Sequence, residues 1–201
     1  MQARPGRPRE AGAARSAILA AADRLFYARG VRAVSLEAVA AEAGVTRRTL
    51  YYHFDGKEAL VGAYLRNRDR SSRALFERAE SRAAGAIQRV LAVFGSLEAW
   101  FRTKEFRGCA FTNAVGEGRE TIVIAGPIAK RHKRALRDWF VRVCSEGGAS
   151  EPVALGEQLM ILFDGAMSGA STRREPEIAR HAAAAARVLL AAHGLAPTAE
   201  G

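Results

Sequence analysis

Two cysteines, Cys109 and Cys144, are all that the 201-residue chain contains. That is too few for a disulfide framework or a zinc site, so the thiols are expected to be reduced. No apolar run approaches the roughly 18 residues that a membrane helix needs, and the N-terminus lacks the apolar stretch of a secretory signal. The expectation is a cytoplasmic protein with no membrane partner. β-Branched alternation is nearly absent, which argues against strands. Enzyme signatures are missing as well: no phosphate-binding glycine loop, no nucleophile elbow, no His-Glu-x-x-His. His132 and His181 stand alone in the sequence. No catalytic residue, metal or cofactor is expected, and no internal repeat is visible.

What is abundant is alanine, leucine and positive charge. Thirty-one Lys and Arg against 21 Asp and Glu leave a formal net charge of +10, which favours an anionic partner. The placement of that charge says more than its sum. Met1–Arg9 reads MQARPGRPR, with Arg4 and Arg7 among prolines and a glycine. Such a segment does not fold alone. It is either a solvated tail or an arm for the minor groove of DNA.

The rest predicts an all-α fold of about nine helices. A first helix over residues 10–28 carries Ile18, Leu19, Ala22, Leu25 and Phe26 as its stripe, closed by Arg29-Gly30. Leu36, Val39, Ala40 and Ala43 mark a short second helix. Gly44 turns the chain, Thr46 serves as N-cap, and a third helix follows from Arg47. Leu50 and Phe54 are its core candidates. Two short helices about a glycine turn are the helix-turn-helix, whose second helix lies in the major groove.

One local rule is broken there. Arg47 and Arg48 sit in a first turn, where the helix dipole is already positive. Lys57 repeats this in a helix that Asp55 and Glu58 are expected to open as a capping box. Departures from local consistency are expected at functional sites, and a DNA phosphate would turn all three cations into contacts. Arginine can also hold two acceptors of guanine. Tyr51 and Tyr52 diverge by about 100° on a helix, so at least one is expected to be exposed, with a hydroxyl for phosphate.

Further along, a helix is predicted to about Glu80, with Arg66–Arg73 (RNRDRSSR) as a solvated face. Others are expected over Ile87–Phe101, within residues 106–118, from Gly126-Pro127 to about Ser145, over Pro152–Ser171, and over Pro176–His193. The helix after Pro152 has more apolar residues than one stripe requires, so burial on more than one side is expected. Gly165 and Gly169 lie four apart. With Phe163, Val188 and Leu189 they suggest close packing of the last two helices against a second copy. Asp164 interrupts an apolar run; an arginine across a dimer, a ligand group and a wet edge are equal readings.

With these elements placed, residues Ile18–Val61 closely resemble the DNA-binding domain of TetR-family transcriptional regulators. The matching stretches are ILAAADRLFYARG, SLEAVAAEAGV and TLYYHFDGKEAL. The Arg107-Gly108-Cys109-x-x-x-Asn113 stretch and the final helix pair resemble the regulatory domain of one branch of that family. The resemblance implies a basic arm (1–9), a helix-turn-helix domain (10–58) and a ligand-binding and dimerisation domain (59–201). It further implies a homodimer on double-stranded DNA with a palindromic operator. On that pattern Arg47, Arg48 and Thr49 stand at the base-reading end of the third helix. Tyr51, Tyr52, His53 and Lys57 match positions that touch bases or backbone. Glu37 is acidic where some members are basic, which favours a role in helix stabilisation.

The resemblance also implies a small-molecule effector. Phe94, Trp100, Phe101, Cys109, Phe111, Trp139 and Phe163 would supply apolar walls, and Asn113 a polar group. For each aromatic, core filling is the competing role; for Cys109, a small buried thiol competes with a redox switch. The function expected is that of a repressor released by an apolar or aromatic ligand. The alternatives are an activator or ligand-independent regulator of the same fold, a nonspecific nucleoid-type protein, or an all-helical enzyme.

Overall fold

The computed structural model describes residues 8–118 and 122–195. Among the described residues it is all-α, with nine helices and no strand. They are α1 (Pro8–Arg29), α2 (Leu36–Glu42), α3 (Arg47–His53), α4 (Lys57–Arg82), α5 (Ala86–Phe101), α6 (Ala110–Gly116), α7 (Ala125–Glu146), α8 (Pro152–Arg173) and α9 (Ile178–Ala192). None of them is long and apolar enough to cross a membrane. Arg4 and Arg7 lie outside the described residues. The last two residues of the expected arm, Pro8 and Arg9, are helical.

The chain divides into two compact units. One runs through Arg68 and takes in Ala110–Ala129; the other comprises Asp69–Cys109 and the chain from Lys130 on. The first compact unit thus includes the opening turns of α4, and α6 with the start of α7 belongs with it. Two carboxylates bond this segment to the rest of the first unit. Glu117 accepts the Arg32 amide at 2.6 Å, and Glu58 accepts the amides of Val123 and Ile124 at 3.0 and 3.2 Å.

In the first unit Ile18, Ala21, Ala22 and Phe26 of α1 are buried, as are Val39 of α2, Leu50 of α3 and Leu60 and Tyr64 of α4. Phe26 meets the Tyr64 ring edge-on at 5.6 Å. Gly30 ends α1 at φ +86°, where an L side chain would be strained. The opening of α4 differs from expectation. The helix begins at Lys57, and the Gly56 carbonyl accepts the Leu60 amide. Asp55 and Glu58 form no capping box, because the Glu58 carboxylate is committed to the Val123 and Ile124 amides in the turn before α7. Nor is the polar run of α4 simply a solvated face. Arg68 is half-buried, 2.7 Å from Asp23 and stacked 3.8 Å over the Tyr27 ring.

The second unit is built on a ring cluster. Phe140 of α7 lies 5.7 Å from Phe76, 6.1 Å from Phe94 and 6.4 Å from Phe163, with Trp139 edge-on to Phe76 at 4.8 Å. Leu97, Leu155, Leu159 and Leu190 complete the core. Fully burying side chains of this size contributes about 1.5–3 kcal/mol each. At Gly156 the two helices α7 and α8 come close: a Cβ there would stand 2.8 Å from the Val141 amide nitrogen.

The opening of α7 is also earlier than expected. The helix begins at Ala125, so Pro127 is its third residue rather than its first. That position still lies in the first turn, where no N–H is needed for the helix. On α8 a second face remains open within the chain: Val153 and Ile161 are exposed, as is Val188 on α9.

Candidate nucleic-acid interface

The α2–α3 corner is fixed by local chemistry. Ser35 caps α2 by accepting the Ala38 amide at 3.1 Å, and Thr46 caps α3 by accepting the Thr49 amide at 3.1 Å. The turn between them passes through Gly44 at φ +66°. Arg24 of α1 reaches Glu42 of α2 at 2.8 Å. Helix α3 turns a single buried residue inward, Leu50. Phe54, just beyond it, is buried and carries the Arg15 guanidinium 5.1 Å over its ring. The remaining surface of α3 is free to act.

That surface holds the residues singled out in the sequence. Arg47, Arg48, Tyr51 and Tyr52 are exposed, and Thr49 and His53 are half-buried. Both tyrosines, at 41% and 75% exposure, stand away from the core. The Thr49 hydroxyl bonds the Thr46 hydroxyl at 2.8 Å, which turns it toward its own cap. His53 packs edge-on to Tyr52 at 5.0 Å.

The two arginines differ. Arg47 lies 3.3 Å from Glu37 and 5.5 Å over the Tyr51 ring. Hydrogen bonding to Tyr51, and then the Glu37 charge, raise its already high pKa. Glu37 in turn is held below the usual carboxylate range, first by its own backbone amide and also by Arg47. Glu37 therefore acts as the tether of Arg47. Arg48 has no such partner among the described residues and presents an uncompensated charge at the start of α3.

Lys57 sits differently again. It is half-buried, and its ammonium donates to the Arg32 carbonyl at 3.1 Å. Burial pulls its pKa down, with Glu117 opposing. It lines a solvent-open cleft of about 240 Å³ with Arg32, Glu58, Val61 and Ile122.

Known proteins resemble this arrangement. Residues 18–64 match the family model described as bacterial regulatory proteins, tetR family. A TetR-family transcriptional regulator from Streptomyces coelicolor superposes with a TM-score of 0.83 at 34% identity, over 90% of this chain and 96% of that one. The chain belongs to the TetR family of transcriptional regulators. A putative TetR regulator from Streptomyces avermitilis has a TM-score of 0.79 at 29% identity, over 91% of this chain and 99% of that one. The curated regulator TtgR of Pseudomonas putida is 36% identical over 121 residues, which is 55% of this chain; the match spans 58% of that relative's length.

For this TetR-family chain the expected effector residues are divided between the two compact units. Phe94, Trp100, Phe101, Cys109, Trp139 and Phe163 belong to the second unit, whereas Phe111 and Asn113 belong to the first. Phe94, Trp139 and Phe163 lie in the ring cluster. Trp100 and Phe101 surround Phe106 at 5.3 and 4.7 Å. Phe111 is buried, Cys109 half-buried and Asn113 exposed. The expected interface set also separates. Gly165 and Val188 face solvent. Phe163 is core, Gly169 stands against Ile178 of its own chain, where a Cβ would lie at 3.3 Å, and Leu189 packs on the core.

One buried polar site was missed in the sequence. His132 is buried, with Nδ1 2.7 Å from Asp69, which also pairs with Arg73 at 3.0 Å. Burial lowers the His132 pKa, against the pull of Asp69. The signal was available: His132 falls four residues after Ile128 and four before Leu136, on the inward stripe of α7.

Proposed function

We propose that the protein binds a palindromic operator as a homodimer, represses by occluding the promoter, and leaves DNA when a small molecule favours the DNA-incompetent state. The observation that carries the DNA-binding part is α3 itself. It is capped at its start, turns one buried residue, Leu50, inward, and is exposed along the face that carries Arg48, Tyr51 and Tyr52. Arg48 is the leading candidate for base contact. Arg47, Thr49, His53 and Lys57 serve as supporting contacts to bases or phosphate, and Arg4 and Arg7 as an arm in the minor groove.

The dimer reading is supported by an unpartnered apolar face on the last two helices. Val153, Ile161 and Val188 are 66%, 65% and 69% exposed. Gly165 leaves open space beside Ile161, which lies one turn earlier on α8. Large aliphatic groups exposed together with small residues suit a two-fold helix interface. Repression is carried over from relatives; one, BepR of Brucella suis, is named a transcriptional repressor and is 48% identical over 48 residues, 24% of this chain and 23% of that one.

Footprinting on the DNA upstream of the protein's own coding sequence tests the reading. The expected result is a protected palindrome overlapping the promoter. Protection upstream of the promoter elements would favour an activator. Uniform protection, lost at modest salt, would favour a nonspecific DNA-coating protein.

A further inference from the structure

The first unit carries a cation that neither its core nor its ion pairs employ. Arg15 lies on α1 three residues before Ile18 and seven before Ala22, both fully buried. That spacing keeps it on the inward line of the helix. An aliphatic residue there would extend the apolar stripe. An arginine is a local departure of the kind expected at functional sites. Its side chain is exposed, and its guanidinium stands 5.1 Å over the Phe54 ring. Phe54 is buried and follows α3 directly in the chain.

Arg24, Arg47 and Arg68 of the same unit pair with Glu42, Glu37 and Asp23. Arg15 makes no ion pair among the described residues, and neither does Asp55, the carboxylate next to Phe54 in the chain. A phenylalanine ring attracts the cation but offers no lone pair, so the guanidinium is placed while its N–H donors stay open. A side chain already held in place loses less freedom when it binds.

The location of Arg15 decides what those donors meet. The N-terminal residues of a reading helix face the base edges. Arg48 holds that end of α3, and Phe54 brings Arg15 to the other end of this seven-residue helix, which is about 10 Å long. The arm assigned to the minor groove leads into α1 at Pro8. With α3 in the major groove, the first turns of α1 must cross the sugar-phosphate wall that divides the two grooves. A cation on those turns meets phosphate, not bases.

We propose that Arg15 is a contact to the DNA backbone: it binds one phosphate per protomer beside the C-terminal end of α3, and Phe54 holds it in position. This rests on the operator-binding reading above. The contact is blind to sequence and adds affinity through counterion release. Phe54 then has two parts, closing the core with one side of its ring and placing a cation with the other.

The test is the affinity of the full-length protein for operator and scrambled duplexes across a salt series, for wild type, Arg15→Gln, Arg15→Lys and Arg29→Gln. The Arg29 variant loses the same charge from the same helix, about 21 Å further along its axis. Arg15→Gln should make the slope of log affinity against log salt shallower by about 1.8 on either duplex, from two phosphate contacts in a two-fold dimer. The ratio of operator to scrambled affinity and the melting temperature should not change. Arg15→Lys, which keeps the charge, and Arg29→Gln should both keep the wild-type slope. Neutral methylphosphonate at single backbone positions of the operator locates the contact. At one position in each half-site wild type should lose affinity and Arg15→Gln should lose none. An unchanged slope in Arg15→Gln, an equal change in Arg29→Gln or Arg15→Lys, a fall in the operator-to-scrambled ratio, or no phosphate whose neutralisation Arg15→Gln ignores would each overturn the contact. Two outcomes separate it from the operator reading. A slope that depends on Arg15, in a wild type with no preference for the operator, supports the phosphate contact and contradicts sequence reading. A clear operator preference with a slope independent of Arg15 does the reverse.

Discussion

The two units are built around different cores, and both carry ion pairs at their margins. Around a core of Ile18, Phe26, Leu50 and Tyr64, the first places charged groups that reach across the chain: Arg24 on Glu42, Arg68 on Asp23, Glu58 on the Val123 and Ile124 amides just before α7, and Glu117 on the Arg32 amide. The second centres on Phe140, whose ring meets Phe76, Phe94 and Phe163, and on backbones brought close at Gly156, with ion pairs such as Arg89–Glu146 and Arg142–Glu80 outside that core. The contrast follows from what each has to present. A helix that meets DNA can turn few residues inward, so its support must come from caps and ion pairs around it. A unit with no such demand can spend whole helix faces on packing.

The largest test of this contrast is in the ring cluster. Phe140→Ala should cost about 3–5 kcal/mol, through lost burial and the cavity left among Phe76, Phe94 and Phe163. Chemical denaturation would measure it. A cost below about 1 kcal/mol would mean that the rings are not the mainstay of the second unit.

Next in size is a comparison within α3. Arg48→Ala should relax base selectivity by about 1–3 kcal/mol. Arg47→Ala should do less, because Glu37 already occupies Arg47 at 3.3 Å. Titrations on operator and scrambled duplexes would measure both, and equal losses would show that the tether does not separate the two arginines. A smaller effect is expected at the cap: Thr46→Ala should destabilise the first unit by about 1 kcal/mol. Thermal denaturation would measure it, with Thr46→Ser as the restoring variant.

How far the sequence carried the fold depended on the distance over which each interaction acts. The helix-turn-helix was legible because its signals are local: Gly30 ends α1, Gly44 makes the turn, and Thr46 caps the residue three places on. Leu50 and Phe54 were recognisable as core by their spacing alone. Partners far apart in the chain were not legible. Arg32 and Glu117 are 85 residues apart, Glu58 and Val123 are 65 apart, and Asp69 and His132 are 63 apart. The capping box expected of Asp55 and Glu58 failed for this reason, since a more distant pair of amides took the carboxylate. In the candidate sites the same limit applied. The exposed face of α3 could be read from periodicity, whereas the assignment of Phe111 and Asn113 to the first compact unit could not.

The smallest expected effect uses His132. Burial holds its folded-state pKa below the ordinary value of about 6.5. Between those two values the unfolded chain binds more protons, so stability rises with pH there. Stability should therefore fall as pH drops through about 6.5, and this group's contribution should level off below its folded pKa. Melting temperatures from pH 7.5 to 5.5 would record this, and His132→Gln should flatten the profile. A profile unchanged by the substitution would show that His132 is not buried in its neutral form.

The central claim is that α3 reads sequence as part of a two-fold assembly. The most direct measurement is the affinity of the wild-type protein, at physiological salt, for its palindromic operator, for one half-site and for a scrambled duplex of equal length. The account predicts a preference of operator over scrambled DNA of about a thousandfold or more, most of it lost on the single half-site. Equal affinity for all three duplexes would contradict it.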